Sequence, residues 1–279
     1  MSFGKQLASR LSASCAHVAV HKFPDGESLV RVLPVLDSHP IVVRSLHDPN
    51  SKVLEILFAA DALRRAGAKR LTLVAPYLPY MRQDTVFRHG EPVSQHVFAR
   101  LLASWFDRVL TIEAHLHRTH RLSDIMPGRS LSTVKEIAAW IRRHADDCFV
   151  VGPDSESGPR VRAIAKHAGV PYIVGQKKRL GDRRVRIALP ALPQRGRAVL
   201  VDDIASSGAT LAEATHALRK RGIGRIEAVV VHALFAADAI KRIERAGATR
   251  VLSCDTIAHP TNAISLAPVV AAALNRGRG

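Results

Sequence analysis

The sequence has little cysteine and few aromatic residues. Its three cysteines, Cys15, Cys148 and Cys254, match neither the spacing of a disulfide framework nor that of a zinc knuckle. Aromatic residues make up 5% of the 279 residues, and no motif interleaves them with basic residues, as surfaces that stack single-stranded nucleic acid do. The composition therefore excludes a disulfide-stapled scaffold and does not favour specific binding of nucleic acid.

Long apolar runs are also absent from the sequence. No stretch is long enough to span a bilayer, and the first residues lack the sustained apolar core of a secretion signal. Unpaired cysteines are typical of proteins in a reducing compartment. We therefore expect a cytoplasmic protein that does not enter a membrane.

Acidic residues are scarce relative to basic ones. The chain has 24 Asp and Glu against 41 Lys and Arg, which gives a formal net charge of +17. The basic residues are spread along the chain rather than gathered in one block. A positive protein attracts anions, and nucleotides or sugar phosphates fit this charge as well as nucleic acid does. Hydrophobic residues make up 47% of the chain, which is enough for one large or two medium cores.

A pattern that recurs three times in the sequence indicates the fold class. Three stretches, beginning at Ala62, Ala217 and Ile243, each consist of a helix end, a glycine, a basic residue and an apolar strand. Glycine suits the left-handed backbone position that ends a helix. Helices that alternate with buried strands predict an α/β fold with mostly parallel sheets flanked by helices.

The predicted elements are too many for one ordinary sheet. We therefore divide the chain into two similar α/β domains, 1–145 and 146–279, at the point where the polar stretch RRHADD precedes a new apolar strand. Residues 17–35 predict two strands joined by a Pro-Asp-Gly turn. A last predicted helix, 267–274, is free to pack back on the first domain.

One apolar strand leads into two carboxylates and then a loop of small residues, in the sequence VLVDDIASSGATL at 199–211. The loop consists of Ser206, Ser207, Gly208, Ala209 and Thr210. Such a loop lets several backbone N–H groups converge on an anion, and the helix that follows adds its positive end. It is not a Walker loop, because it contains no Gly-Lys-Ser/Thr. We expect it to bind a phosphate group.

The acidic pair, Asp202 and Asp203, points to the rest of the ligand. Two carboxylates would repel a bare polyphosphate, but they accept hydrogen bonds well from a vicinal diol. Ribose 5-phosphate satisfies both demands, with its phosphate in the loop and its hydroxyls on the carboxylates. Two alternatives stay open: Asp203 caps an ordinary turn, or the pair has the role that it has at strand ends in response regulators.

These residues resemble the motif that binds phosphoribosyl pyrophosphate (PRPP) in phosphoribosyltransferases and in ribose-phosphate pyrophosphokinases. Five further segments resemble the pyrophosphokinase family in the expected order. They are FPDGE at 23–27, PYLPYMRQD at 76–84, RVLTIEAHLH at 108–117, VVGPDSESGPRVRAIAK at 150–166 and QKKR at 176–179. The resemblance extends over most of the chain and implies two phosphoribosyltransferase-like domains, the first contacting ATP and the second binding ribose 5-phosphate or PRPP.

The resemblance also implies a role for each matching residue. The ATP-binding residues would be Phe23, Asp25, Glu27, Arg82, Gln83 and Asp84. The Mg²⁺ ligands would be His115 and Asp154, and the catalytic clamp would be Lys177 and Arg179. The ribose 5-phosphate site would comprise Asp202, Asp203, Ser206, Ser207, Gly208, Ala209 and Thr210. The chain departs from the family pattern at Glu113 and Ser206, where an Asp is usual.

Several of these residues have simpler interpretations. Pro24-Asp25-Gly26 is a common turn, Arg82 and Asp84 could form a surface ion pair, and Asp154 could cap a helix that starts near Ser157. Lys177 and Arg179 could be solvated charges. The spacing of His115, His117 and His120 has no fixed zinc geometry, so we expect at most one metal ligand among them.

The implied reaction is diphosphoryl transfer from ATP to ribose 5-phosphate, giving PRPP and AMP, with Mg²⁺ as cofactor. In the family the hairpin around FPDGE reaches into a neighbouring subunit's site, so the resemblance also implies at least a dimer. Three other functions remain open. One is a phosphoribosyltransferase that uses PRPP and a base, and another is a non-catalytic, regulatory relative of the pyrophosphokinases. The third is an RNA-binding regulator with a transferase-like fold, which the positive charge alone permits.

Overall fold

A computed structural model describes residues 2–33, 37–179, 185–193 and 196–276 of the chain, with the backbone alone for 177–179 and 185. The chain forms two compact units, which we call the first unit (Met1–Leu131 with Ala267–Gly279) and the second unit (Ser132–Leu266). Both are α/β structures built on parallel sheets, which confirms the predicted fold class.

The first unit begins with a short helix and a hairpin, followed by alternating strands and helices. Its elements are α1 (Phe3–Arg10), β1 (Ala19–Lys22), β2 (Ser28–Arg31), β3 (Ile41–Val43), α2 (Pro49–Arg65), β4 (Thr72–Ala75), α3 (Ser94–Ala103), β5 (Arg108–Ile112) and β6 (Gly128–Leu131). A 3-10 turn at Leu122–Asp124 precedes β6. Strands β3, β4, β5 and β6 form a parallel sheet in that order, while β1 and β2 pair as a separate antiparallel hairpin.

The second unit has a larger parallel sheet. Its elements are α4 (Val134–His144), β7 (Cys148–Gly152), α5 (Gly158–Ala168), β8 (Tyr172–Val174), β9 (Gln176–Arg179), β10 (Val185–Ala188), β11 (Arg197–Ala205), α6 (Ala209–Lys220), β12 (Ile226–Ala233), α7 (Ala239–Arg245), β13 (Arg250–Cys254) and β14 (Asn262–Ile264). The sheet order is β14-β13-β12-β11-β7-β8, and β9 pairs with β10 as an antiparallel hairpin. A final helix, α8 (Ala267–Asn275), belongs to the first unit.

The boundary between the units differs from the one that we expected. It falls between Leu131 and Ser132, so α4 belongs to the second unit, where it packs on α5 and β14. The sequence shows a polar break after this helix, but the apolar face of the helix decides its place. Ile137, Ala138 and Ile141 on that face are fully buried. The last helix packs against α1 in the first unit.

Each sheet is buried by helices whose apolar residues recur with helical spacing. In α2, Val53, Ile56, Leu57, Ala60 and Leu63 share one face and enter the core of the first unit. All eight residues of β12 are buried, as expected for a central parallel strand covered on both faces. Within the described residues, no helix is both long enough and apolar enough to cross a membrane.

Candidate active site

The chain reverses its direction of travel across the second sheet between β7 and β11. These strands are parallel neighbours, with Leu200 opposite Val151. From β7 the chain passes through α5 to β8 on one side, and from β11 through α6 to β12 on the other. The carboxyl end of such a switch point is where open α/β sheets bind ligands. The residues that follow β7 and those that end β11 therefore define the candidate site.

Asp202 and Asp203 lie within the last four residues of β11, and both are half-buried. The Asp202 Oδ1 atom accepts a hydrogen bond from the Asp203 N–H at 2.9 Å, and Asp203 Oδ1 accepts one from the Ile204 N–H at 2.9 Å. The strand continues past both residues to Ala205. The acidic pair is therefore held by an ordered strand rather than by a loose turn.

The small-residue loop between β11 and α6 is fixed from behind by the segment that follows β12. The Ser206 carbonyl oxygen accepts a hydrogen bond from the Ala236 N–H at 3.0 Å. Gly208 has a left-handed backbone with φ +71°, and a Cβ atom there would lie 2.8 Å from the Ala239 carbonyl oxygen. Both constraints require glycine. Helix α6 starts at the next residue, so its first N–H groups and positive end adjoin the loop, as an anion site requires.

Negative charge is concentrated at this edge. Burial raises the pKa of the Asp202 carboxyl well above its ordinary value, and the nearby charges of Asp203 and Asp154 raise it further. Asp203 also meets a cation, because its Oδ2 atom lies 3.7 Å from a guanidinium nitrogen of Arg160 in α5. Arg160 lies in the segment 150–166 that resembles the family, but no pattern in the sequence predicts its pairing with Asp203.

Asp154 follows β7 and organises the turn into α5. Its Oδ1 atom accepts a hydrogen bond from the Ser157 N–H at 3.2 Å, while the Ser157 hydroxyl donates to the Asp154 carbonyl oxygen at 2.5 Å. Gly152 makes room for this turn, since a Cβ atom there would lie 2.4 Å from the Ser157 hydroxyl oxygen. Asp154 therefore orders the turn that precedes α5, whereas the N-cap residue of this helix is Ser157 and its side chain makes no capping hydrogen bond. The role of Asp154 as a metal ligand remains a prediction.

In the first unit, the predicted ATP segment follows β4 at the carboxyl edge of the sheet. Arg82 is exposed, and the Gln83 side-chain oxygen accepts a hydrogen bond from the Ser94 hydroxyl at 2.5 Å. Asp84 is buried, and its two carboxylate oxygens accept from the Arg118 backbone N–H at 3.0 Å and the Arg118 guanidinium at 2.8 Å. The alternative of an Arg82–Asp84 surface pair is therefore wrong, because the partner of Asp84 is Arg118.

Opposing effects act on the pKa of the Asp84 carboxyl. Burial alone would raise the pKa of this carboxyl, but the two hydrogen bonds and the charge of Arg118 outweigh burial, so the net pKa is lowered. A second link lies beside it: the buried Gln95 side chain donates to the Met81 carbonyl oxygen and accepts from the Thr119 hydroxyl at 2.7 Å. The loops after β4 and β5 are thus tied together.

The histidines after β5 lie at the same edge. His115 is half-buried and His117 is exposed, and their Nε2 atoms are 2.6 Å apart with the rings nearly perpendicular. Glu113, which stands where the family usually has Asp, has a left-handed backbone with φ +41°, and its N–H donates to the Leu131 carbonyl oxygen at 2.9 Å. This turn directs the chain from β5 towards the histidines.

The β1–β2 hairpin presents the other predicted ATP-binding residues at its tip. Phe23 is 41% exposed, with its ring 4.7 Å from that of His21. The Asp25 carboxylate accepts a hydrogen bond from the Glu27 N–H at 3.1 Å, and Gly26 has φ +95°. The tip is therefore an ordered turn that displays an aromatic ring and two carboxylates to solvent.

Lys177 and Arg179 lie on β9, which pairs with β10. Both side chains lie outside the described residues, as do residues 180–184. Their catalytic role remains a prediction.

Comparison with known proteins identifies the family. A family model for the N-terminal domain of ribose phosphate pyrophosphokinase matches residues 1–105, and one for the phosphoribosyl transferase domain matches residues 126–268. A curated ribose-phosphate pyrophosphokinase from Methanopyrus kandleri is 35% identical over 100% of this chain and 97% of its own length. The chain belongs to the ribose-phosphate pyrophosphokinase family.

Other members of the pyrophosphokinase family support the same assignment. A ribose-phosphate pyrophosphokinase from Pyrococcus furiosus is 34% identical over 92% of both chains. Among solved structures, the phosphoribosylpyrophosphate synthetase from Mycobacterium smegmatis matches with a TM-score of 0.83 and 27% identity, covering 99% of this chain and 96% of that one. The similarity therefore includes both units rather than the phosphoribosyltransferase-like domain alone.

Proposed function

We propose that this protein transfers the diphosphoryl group of ATP to the 1-hydroxyl of ribose 5-phosphate, giving PRPP and AMP. The observation that carries the proposal is the carboxylate pair before a phosphate-type loop at the switch point of the second sheet, in a chain that belongs to this family along its whole length. A phosphoribosyltransferase that lacks the first unit would leave the family match at residues 1–105 unexplained.

The second unit would bind the sugar phosphate. The loop of residues 206–210 and the first N–H groups of α6 would hold the 5-phosphate, because helix N-termini favour anions. Asp202 and Asp203 would accept hydrogen bonds from the 2- and 3-hydroxyls. The strand that holds them is parallel-paired with β12 up to Ala205, so the acceptors are ordered before the sugar arrives. Such preorganisation lowers the entropy cost of binding.

The first unit would bind ATP. Arg82 is exposed at the carboxyl edge of the first sheet and can reach a phosphate, whereas Asp84 is engaged with Arg118 and would position the segment. Phe23 would offer an apolar face to adenine, and Asp25 and Glu27 would accept from its exocyclic amine. Among the predicted ATP-binding residues, Asp84 would thus position the segment through Arg118 rather than contact ATP itself.

Each unit offers one candidate ligand for Mg²⁺. Mg²⁺ prefers oxygen ligands, keeps several waters and needs few protein groups. In the second unit, Asp154 would supply a carboxylate oxygen near Asp202, whose pKa is raised by burial and then by the charges of Asp203 and Asp154. In the first unit, His115 would supply an imidazole nitrogen. When bound, Mg²⁺ would offset the charge of the phosphates.

The reaction itself requires alignment more than covalent help. The 1-hydroxyl oxygen forms a bond to the β-phosphorus, the bond from that phosphorus to the α–β bridging oxygen breaks, and AMP leaves as the hydroxyl proton is released. In-line positioning and charge stabilisation provide most of the acceleration in such transfers. Lys177 and Arg179 on the β9–β10 hairpin would stabilise the charge on the moving group and exclude water.

The surface of the first unit supports self-association. Eleven large hydrophobic residues are exposed in the described part of the chain; ten lie in the first unit and one, Tyr172, in the second. Leu54 and Phe58 share a face of α2, and Val97 and Leu101 share a face of α3. Exposed apolar clusters mark interaction sites. We propose at least a homodimer, and a cytoplasmic location, because the cysteines in the described part of the chain form no disulfide bond.

A product assay tests the proposed function. The purified protein is incubated with ATP, Mg²⁺ and ribose 5-phosphate, and AMP and PRPP are quantified. We expect the two products in equal amounts, and neither without the sugar phosphate. ADP in place of AMP, or no turnover by a folded protein, would contradict the proposal.

A further inference from the structure

A cation occupies an unfavourable place in α5. Arg160 is the third residue of this helix, and its side chain is only 19% exposed. A positive charge near a helix N-terminus opposes the helix dipole, whereas Lys166 and His167 in the last turn agree with it. The first turn of α5 has no acidic residue. Interactions outside the helix must therefore stabilise Arg160.

Those interactions lie at the carboxylate edge. A guanidinium nitrogen of Arg160 is 3.7 Å from Asp203 Oδ2, and the Asp203 side chain is itself only 15% exposed. Charges that are largely removed from water interact more strongly than charges on the surface. The separation exceeds hydrogen-bond length, so this contact orders the carboxylate by its charge without using a lone pair of Oδ2 for a hydrogen bond.

The neighbourhood needs such a cation before any ligand arrives. The carboxyl groups of Asp203 and Asp154 lie near enough to Asp202 for their charges to act on it, and the Asp203 side chain is itself largely buried. A carboxylate that must accept from sugar hydroxyls works best when it is charged and held in one position. Arg160 supplies a fixed positive charge from the helix that follows β7.

We propose that Arg160 is a positioning residue of the sugar-phosphate site: it offsets the charge of Asp203 and holds that carboxylate where the ribose hydroxyls donate. The inference rests on the proposed function, because it takes ribose 5-phosphate as the ligand of this site. It adds to the carboxylates and the loop a residue that acts on the sugar through Asp203.

Steady-state kinetics of Arg160→Gln, Arg160→Lys and the wild type test the proposal. We expect Arg160→Gln to raise KM for ribose 5-phosphate about tenfold, with KM for ATP and kcat nearly unchanged, because one charged contact to the sugar-binding group is lost. Arg160→Lys keeps the charge and should recover much of the loss. Arg162→Gln is the matched control: it lies on the same helix, is exposed, and contacts the Tyr172 hydroxyl instead. It should behave as the wild type.

The outcomes are separable. If Arg160→Gln leaves KM for ribose 5-phosphate unchanged while Asp203→Asn raises it, the inference is overturned and the proposed function stands. If Asp203→Asn also leaves it unchanged, the sugar site itself is misplaced. A purely structural role predicts a lowered Tm, equal loss for both substrates and no recovery by Lys, and that result also overturns the inference.

Discussion

The two units differ in where their candidate functional residues lie. In the second unit, carboxylates are half-buried at the centre of a six-stranded sheet, and a glycine-dependent loop is fixed by neighbouring backbone. In the first unit, a four-stranded sheet is accompanied by a separate hairpin, which contacts α2, and by helices with exposed apolar residues. Under the proposed function, the second unit would bind a small anionic ligand, whereas the first unit presents exposed apolar surfaces. Variants confined to one unit test this difference between the units.

The largest effect is expected in the β9–β10 hairpin of the second unit. Lys177→Ala and Arg179→Ala should each lower kcat by about a hundredfold, since groups that stabilise transition-state charge contribute on that scale. KM for either substrate should change little. Steady-state rates at saturating Mg²⁺ and ATP measure this. The control is Arg186→Ala on the paired strand, which is exposed and should keep its kcat.

The double variant sharpens this prediction. If one closed hairpin positions both side chains, the two losses should not multiply. A kcat within about twofold of the wild type for each single variant, less than 0.5 kcal/mol of barrier, would remove the pair from the catalytic residues.

A slightly smaller effect is expected at the phosphate loop. Gly208→Val places a side chain against the Ala239 carbonyl and strains a left-handed backbone, so the loop must move. Displacement of a substrate by about 1 Å can cost about a hundredfold in rate, and we expect that loss in kcat/KM for ribose 5-phosphate.

Gly222→Val is the control that distinguishes the effect of backbone strain from the effect of displacing the phosphate loop. Gly222 also has a positive φ, +85°, but a Cβ atom there meets nothing within 4 Å. This variant should lose stability, by about 1 kcal/mol, because a side chain disfavours the left-handed backbone, and keep its KM for ribose 5-phosphate. Equal kinetic damage in both glycine variants would contradict the loop assignment.

The difference between the units also explains what the sequence predicts. Asp202, Asp203 and the loop are contiguous, so one stretch of sequence is enough to predict their chemistry. Arg160 and Arg118 were missed because their partners, Asp203 and Asp84, lie 43 and 34 positions away in the chain. Pairing at that distance is set by the strand order of a folded sheet, and no local pattern encodes it.

The individual helices and strands were predicted more accurately than their division into two units. The alternation of helices and strands, the hairpin near residue 24 and the final helix follow from periodicity and turn residues, and the α/β fold is confirmed. The boundary at Leu131/Ser132 depends on which core receives the buried face of α4. Amphipathicity shows that a helix has an apolar face, but not what covers it.

An intermediate effect is expected on assembly. Replacing Leu54 and Phe58 by Ser removes two exposed apolar side chains from α2, each contributing about 2 kcal/mol if an interface buries it. Sedimentation velocity should show a shift towards monomer over a concentration series. Tyr172→Ser, the exposed aromatic of the second unit, should leave the distribution unchanged. A wild type that is already monomeric would contradict the surface assignment.

The smallest effect is expected for Asp84→Asn. Arg118 lowers the pKa of the folded carboxyl, so the ionised group stabilises the protein above its unfolded pKa of about 3.9. This stability is lost as pH falls through the lower, folded pKa. Unfolding curves should show the variant less stable than the wild type at pH 7, with the difference shrinking in acid. A difference independent of pH would place the contribution elsewhere.

Label transfer tests the central claim most directly. ATP labelled at its γ-phosphate is incubated with Mg²⁺, ribose 5-phosphate and the purified protein, in parallel with ATP labelled at its α-phosphate. Transfer of the diphosphoryl group as one unit predicts γ-label in PRPP and α-label in AMP. Release of the γ-label as inorganic phosphate, or its appearance in a ribose bisphosphate alongside ADP, would contradict the account.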